Sequence, residues 1–160
     1  MKLYELHEQV NDLDVTTEYF AFGTLRDPDV LKLITGKEHD LSQVAYLPGF
    51  EAVHVKGESF PALIPSEGSR IEGRLVNSFS EEDWERLDWY EDDLYTTKVM
   101  FVEMKDGTNV AAQVYAFHDP KRIEPIPDKE WSYDKWRKTK QPAWIKKIPG
   151  WMADFGSSEL

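Results

Sequence analysis

Apolar residues fall in short runs along the chain, cut by glycine, proline and acidic turns. Tyr19-Phe20-Ala21-Phe22 is the first run and reads as a short buried strand halted by Gly23. Asp27-Pro28 then supplies a helix cap and a first-turn proline. Val30, Leu31, Leu33 and Ile34 follow, with Gly36 as the stop, which predicts a helix of about two turns. Between Gln43 and Val76, three or four runs rich in Val, Leu, Ile and aromatics are separated by Pro48-Gly49, Lys56-Gly57 and Ser66-Glu67-Gly68. This is the pattern of a strand meander. Ser80 followed by Asp83 is a helix N-cap signature, after which Trp84, Leu87 and Glu91 share one helical face; the helix should finish near Glu91-Asp92-Asp93. Residues 94–104 and 109–117 are β-rich and joined by Lys105-Asp106-Gly107-Thr108, the clearest hairpin signal in the chain.

After Asp119-Pro120 the pattern changes. Trp131, Tyr133 and Trp136 fit a short helix, with Trp144 and Trp151 beyond it. Packing over a barrel or pocket edge is the simplest role for these rings, with Lys135, Arg137, Lys138 and Lys140 on the wet side. Docking of a second copy of the chain, a homodimer through this tail, is the alternative. The division expected is an N-terminal extension over 1–17, a core domain over 18–118, and a Trp-containing extension over 119–160 packed on the same domain.

Composition narrows the function classes. With 160 residues and 41% hydrophobic content the chain can bury one ordinary core. A formal charge of -11 argues against nucleic acid, which needs clustered cations to replace its counterions. The absence of cysteine removes disulfides, thiolate metal sites and a Cys nucleophile. No run of eighteen apolar residues predicts a membrane span, so the expected address is the cytoplasm.

Two segments carry chemistry. In Phe22-Gly23-Thr24-Leu25-Arg26, a glycine between a buried strand and a helix lets backbone N–H groups turn toward an anion or oxyanion. In Leu87-Asp88-Trp89-Tyr90-Glu91-Asp92-Asp93-Leu94-Tyr95, carboxylates meet the unfavourable end of a helix dipole, which tends to raise their pKa and suits a proton shuttle. Taken singly, each has a plain structural reading: Glu91 as a solvated acid beside Asp92 and Asp93, Gly23 as a strand-to-helix turn, and Arg26 paired with Asp27 or Asp29. The spacing of Asp88, Glu91, Asp92 and Asp93 lacks the alternate oxygen ligands and glycine of a calcium loop. His7, His39, His54 and His118 have no spacing suited to a metal, and no cofactor is expected.

These residues together resemble the gamma-glutamylcyclotransferase-like superfamily, in particular its small plant and bacterial branch named for avirulence-induced genes. The match runs over roughly residues 18–118. It rests on Phe22-Gly23-Thr24-Leu25, Phe60-Pro61-Ala62, Leu87-Asp88-Trp89-Tyr90-Glu91, Tyr95 and the strand Val114-Tyr115-Ala116-Phe117. Phe22 stands where the family usually has Tyr, and Thr97 where an Arg is often found. The resemblance implies an α+β fold, a small mixed β-barrel or curved sheet with flanking helices. It also implies metal-independent acyl transfer, in which the α-amine of a gamma-glutamyl amine or peptide attacks its own γ-carbonyl to give 5-oxoproline and a free amine. Glu91 would be the general acid/base, with Phe22, Gly23, Thr24, Leu25, Arg26 and Tyr95 holding the substrate, chiefly through the loop backbone. A non-catalytic binding module, or a related acyl-transfer or hydrolytic enzyme on the same fold, are the alternatives.

Overall fold

Two long bent strands decide the architecture. The computed structural model describes residues 17–91, 95–118, 121 and 123–155. The expected extension over 1–17 therefore lies almost wholly outside the described residues, as do Asp92, Asp93, Leu94 and Asp119-Pro120. The order is β1 (Tyr19–Ala21), a single 3₁₀ turn (Thr24–Arg26), α1 (Pro28–Thr35), β2 (Val44–Val55), β3 (Pro61–Val76) and α2 (Glu81–Glu91). After these come β4 (Tyr95–Met104), β5 (Asn109–His118), β6 (Pro125–Glu130), α3 (Tyr133–Thr139) and α4 (Gln141–Met152).

The strands pair in the order β3-β1-β5-β4-β2, and β2 pairs again with β3, closing a five-stranded barrel; β6 adds outside along β2. All pairings are antiparallel except β1 with β5, so the barrel is mixed. This is an α+β fold with a small mixed barrel and flanking helices, as expected.

Only one of the three turns expected between Gln43 and Val76 reverses the chain. Lys56-Gly57 joins β2 to β3, but Pro48-Gly49 and Ser66-Glu67-Gly68 lie inside continuous strands. The register jumps from Pro48↔Arg70 to Phe50↔Pro65, so residues 66–69 bulge opposite Gly49, which takes a φ of 86°. The bulge lets one strand pair turn a barrel corner, and it uses the same glycine and proline chemistry that marks a hairpin.

Alternation along the strands makes two large cores, beside a small cluster of Val55, Ala62 and Ile123. Phe20, Phe22, Ala45, Leu47, Phe50, Leu63, Ile71, Leu75, Met100, Val102, Ala112 and Val114 fill the barrel. Tyr19, Ala21, Val76 and Tyr115 point outward and meet Leu25, Val30, Leu31, Ile34, Phe79, Leu87, Trp131, Trp136 and Ile148 from the helical side. Barrel closure brings β3 hard against β1: a Cβ at Gly73 would lie 2.5 Å from the carbonyl oxygen of Ala21 and 2.6 Å from the Phe20 ring.

The helix signals place the outer layer as read. Asp27 caps α1 by accepting from the N–H groups of Asp29 and Val30 at 2.9 and 3.2 Å. Ser80 and Asp83 cap α2 reciprocally, at 3.1 and 3.0 Å. Residues beyond 130 are held by the same Asp27: its second carboxylate oxygen is fully buried and takes Arg137 of α3 in an ion pair and the Tyr133 hydroxyl at 3.3 Å. Gln141 adds a hydrogen bond to Asp29 at 3.2 Å. No helix among the described residues is long and apolar enough to cross a membrane.

Candidate active site

β1 runs out at Ala21, and the chain turns at Gly23 into the 3₁₀ turn. Gly23 has a φ of −92°, so no left-handed backbone demands glycine here; the demand is spatial, because a Cβ would sit 3.1 Å from Pro61 Cγ. Inside the turn, the N–H groups of Arg26 and Asp27 bond to the carbonyls of Gly23 and Thr24, both at 3.1 Å. The first N–H groups of such a turn have no partner within it, so those of Gly23, Thr24 and Leu25 remain outside its ladder.

α2 ends facing this turn. A cavity of about 950 Å³ opens between the outer wall of the barrel, the glycine turn, α2 and α4. Phe22, Gly23, Thr24, Leu25, Tyr95 and Glu91 all line it, so six of the seven residues singled out from sequence meet in one place. Arg26 does not. Its guanidinium pairs with Glu72 at 2.9 Å and lies 4.5 Å from the Tyr133 ring centroid, where it helps seat the C-terminal segment. The ring of Phe22 stacks on Phe20 in the barrel core, with centroids 6.3 Å apart, so this residue contributes apolar wall.

Glu91, the last residue of α2, is perturbed in the direction the sequence suggests but for a different main reason. Burial pushes its carboxyl up to about 8, and the negative charge of Asp88, one turn earlier, adds to the shift. Tyr19, Tyr90, Tyr95 and Tyr115 also line the cavity. Burial raises the pKa of all four above the ordinary tyrosine value; the next cause is the charge of Glu91, except at Tyr115, where it is the bond to Asp88.

Most of these hydroxyls have fixed partners. Tyr95 donates to the Pro61 carbonyl at 2.7 Å, and Tyr115 donates to Asp88. A register shift between Thr96 and Thr97 places one extra residue on β5 beside these two tyrosines, a common device where a side chain must be re-aimed. Thr97, where the family often carries Arg, pairs with Tyr115 across the strands.

The far wall comes from the C-terminal segment. Trp144, Lys147, Trp151 and Phe155 line the cavity opposite Glu91, and among the described residues lining it Lys147 is the only cation, against Glu58, Glu85, Asp88 and Glu91. Trp89 of α2 donates its indole N–H to the Trp151 carbonyl at 2.9 Å, and Trp144 donates to the Tyr90 hydroxyl at 2.8 Å. The sequence signal for these residues was the tryptophan-rich tail itself, read as packing at a barrel or pocket edge; their pairing with α2 spans more than fifty residues and leaves no local trace.

A carboxyl of raised pKa and a glycine turn thus line one cavity on the outside of a closed mixed barrel. A model of the family described as gamma-glutamyl cyclotransferase, AIG2-like, matches residues 19–133. The chain belongs to that family. AIG2-like protein B of Arabidopsis thaliana is 24% identical over 128 residues, covering 79% of this chain and 73% of its own. Protein AIG2 B of the same plant is 26% identical over 139 residues, covering 85% and 79%. A solved structure described as gamma-glutamyl cyclotransferase is similar with a TM-score of 0.60 at 16% identity, over 84% of this chain and 86% of its own. A solution structure from Arabidopsis thaliana reaches 0.61 at 19% identity, over 91% and 86%. At such identities these likenesses concern the fold.

Proposed function

We propose that the chain is a gamma-glutamylcyclotransferase, an acyltransferase-class enzyme that cyclises a gamma-glutamyl amine or peptide to 5-oxoproline and releases the free amine. The observation that carries this reading is Glu91: a carboxyl pushed up to about 8, lining the same cavity as Gly23, Thr24 and Leu25, whose N–H groups lie outside the hydrogen-bond ladder of their turn.

The reaction is internal to the substrate. Once the α-ammonium has given a proton to solvent, its nitrogen attacks the γ-carbonyl carbon and the carbonyl oxygen becomes an oxyanion. The new ring nitrogen passes a proton to the Glu91 carboxylate. Glu91 returns that proton to the leaving nitrogen as the carbon–nitrogen bond to the amine breaks. One carboxyl near neutrality serves both transfers. Holding the γ-glutamyl chain folded supplies much of the rate, with effective molarities of about 10⁵ M or more for well-oriented cyclisations. The turn N–H groups supply donors for the oxyanion and the α-carboxylate. This matters in a chain of net charge -11, which otherwise repels an anionic group.

The test is incubation of the purified protein with a panel of gamma-glutamyl amines and amino acids, reading 5-oxoproline by mass spectrometry. Wild type yields product and Glu91→Gln yields none. Turnover that survives the substitution sinks the mechanism; wild-type silence with measurable ligand binding makes the protein a binding module.

A further inference from the structure

We infer that Tyr90 gives its hydroxyl proton to an oxygen of the bound ligand, and that Trp144, outside the family-matched segment, is the positioning residue that fixes this donor. The inference rests on the cyclotransferase reading for the identity of the ligand, and on hydrogen-bond bookkeeping for the rest.

A phenol has one proton and can accept through its oxygen. In Tyr95 and Tyr115 that proton is committed, to the Pro61 carbonyl and to Asp88. Tyr90 is arranged the other way round. Indole N–H can only donate, so the 2.8 Å contact with Trp144 makes the Tyr90 oxygen an acceptor and leaves its proton to be placed elsewhere. Among the described residues the remaining partner is the Thr24 hydroxyl at 3.3 Å, beyond the usual 2.7–2.8 Å for two hydroxyls. A carbonyl or carboxylate oxygen is a stronger acceptor and would take the proton in preference.

Such an oxygen has a reason to be there. Thr24, Tyr90 and Trp144 all line the cavity, and Thr24 belongs to the glycine turn whose first N–H groups have no partner within its ladder. The Tyr90 hydroxyl therefore joins the turn backbone as a side-chain donor to the same group. Burial keeps the phenol in its donating, protonated form, and the Glu91 charge adds to this once that carboxyl ionises.

Trp144 sits on α4, eleven residues past the end of the family match at 133. Its ring is held edge-on by Trp136 and Trp151, with centroids 6.1 and 5.1 Å away, so the N–H has little freedom to swing. Polarising Tyr90 by donation from behind also strengthens the bond that Tyr90 makes in front.

Steady-state kinetics of Tyr90→Phe, Trp144→Phe and the double variant test this, with melting temperature measured alongside. Tyr90→Phe is expected to lose about 100-fold in kcat/KM, the usual effect of removing one such donor. A loss in kcat assigns the bond to the γ-carbonyl oxygen that becomes the oxyanion, and a loss in KM assigns it to the α-carboxylate. Trp144→Phe is expected to lose about 10-fold, and the double variant should match Tyr90→Phe within about 3-fold, because Trp144 acts through Tyr90. Losses that multiply overturn the positioning role, and unchanged kinetics in Tyr90→Phe overturn the donor. If wild type forms no 5-oxoproline, the cyclotransferase reading fails, and calorimetric titration with 5-oxoproline decides the donor separately. About 10-fold weaker binding in Tyr90→Phe supports it; equal binding, or none in either protein, overturns it.

Discussion

On the cyclotransferase reading Glu91 carries opposite demands at the level of a single side chain: withdrawn from water enough to push its carboxyl up to about 8, and acidic enough to release its proton. Its folded pKa lies above the ordinary carboxyl value of 4.5, so the folded protein binds a proton that the unfolded chain gives up. The stability this contributes is complete below about pH 4.5 and is lost as pH rises toward about 8, at no more than about 1.4 kcal/mol per pH unit. Glu91→Gln stays neutral throughout. It is therefore expected to melt progressively higher than wild type as pH is raised from 5 to 8.5, while losing turnover; two parallel melting curves would refute the burial of this charge. In wild type the same titration should appear in kcat/KM as a rise with pH breaking near 8. The sequence pointed to Glu91 through a helix end and a neighbouring acid run. It could not supply the main cause of the shift, because the cavity in which Glu91 sits is walled by residues such as Tyr95, Tyr115 and Trp144 that arrive from other positions in the chain.

At the scale of elements, local chemistry was read well wherever it acts locally. Asp27-Pro28, the Ser80–Asp83 box and the Lys105–Thr108 hairpin each fix backbone within a few residues, and each stands where expected. Pro48-Gly49 misled because a strand bulge and a reverse turn both need residues that break a ladder; what separates them is whether β2 keeps its partner on both sides, a nonlocal matter. Gly73 carries no punctuation role at all and is fixed by contact. Gly73→Ala drives a methyl group into the Ala21 carbonyl and the Phe20 ring, and is expected to cost about 3 kcal/mol. Gly107→Ala meets open space and pays only the left-handed strain of its φ of 88°, about 1 kcal/mol. Urea midpoints of the two variants check the contrast, and equal midpoints would mean that β1 and β3 do not close as tightly as described.

Across the whole molecule, barrel and C-terminal helices meet at Asp27, which caps α1 with one oxygen and holds Arg137 and Tyr133 with the other. Asp27→Asn keeps a capping oxygen but removes the charge that Arg137 needs. The expected result is about 2 kcal/mol less stability, with amide hydrogen exchange accelerated more in 133–152 than in the barrel strands. Turnover should fall as well, because Trp144 and Trp151 wall the cavity. Uniform acceleration would show instead that the helices unfold only with the barrel. Sequence reading expected this aromatic segment to pack at a barrel or pocket edge but not the ion pair that holds it, since Asp27 and Arg137 lie 110 residues apart.

The cavity thus has two walls drawn from different stretches of the chain. Glu91 and the glycine turn belong to the stretch shared with the family, and Trp144, Lys147, Trp151 and Phe155 to the stretch after residue 133. Mutation can rework the second without touching the first. On the cyclotransferase reading, a chain built this way can keep one reaction and change its clientele by redrawing a single short helix, much as a lathe keeps its motor and changes its chuck.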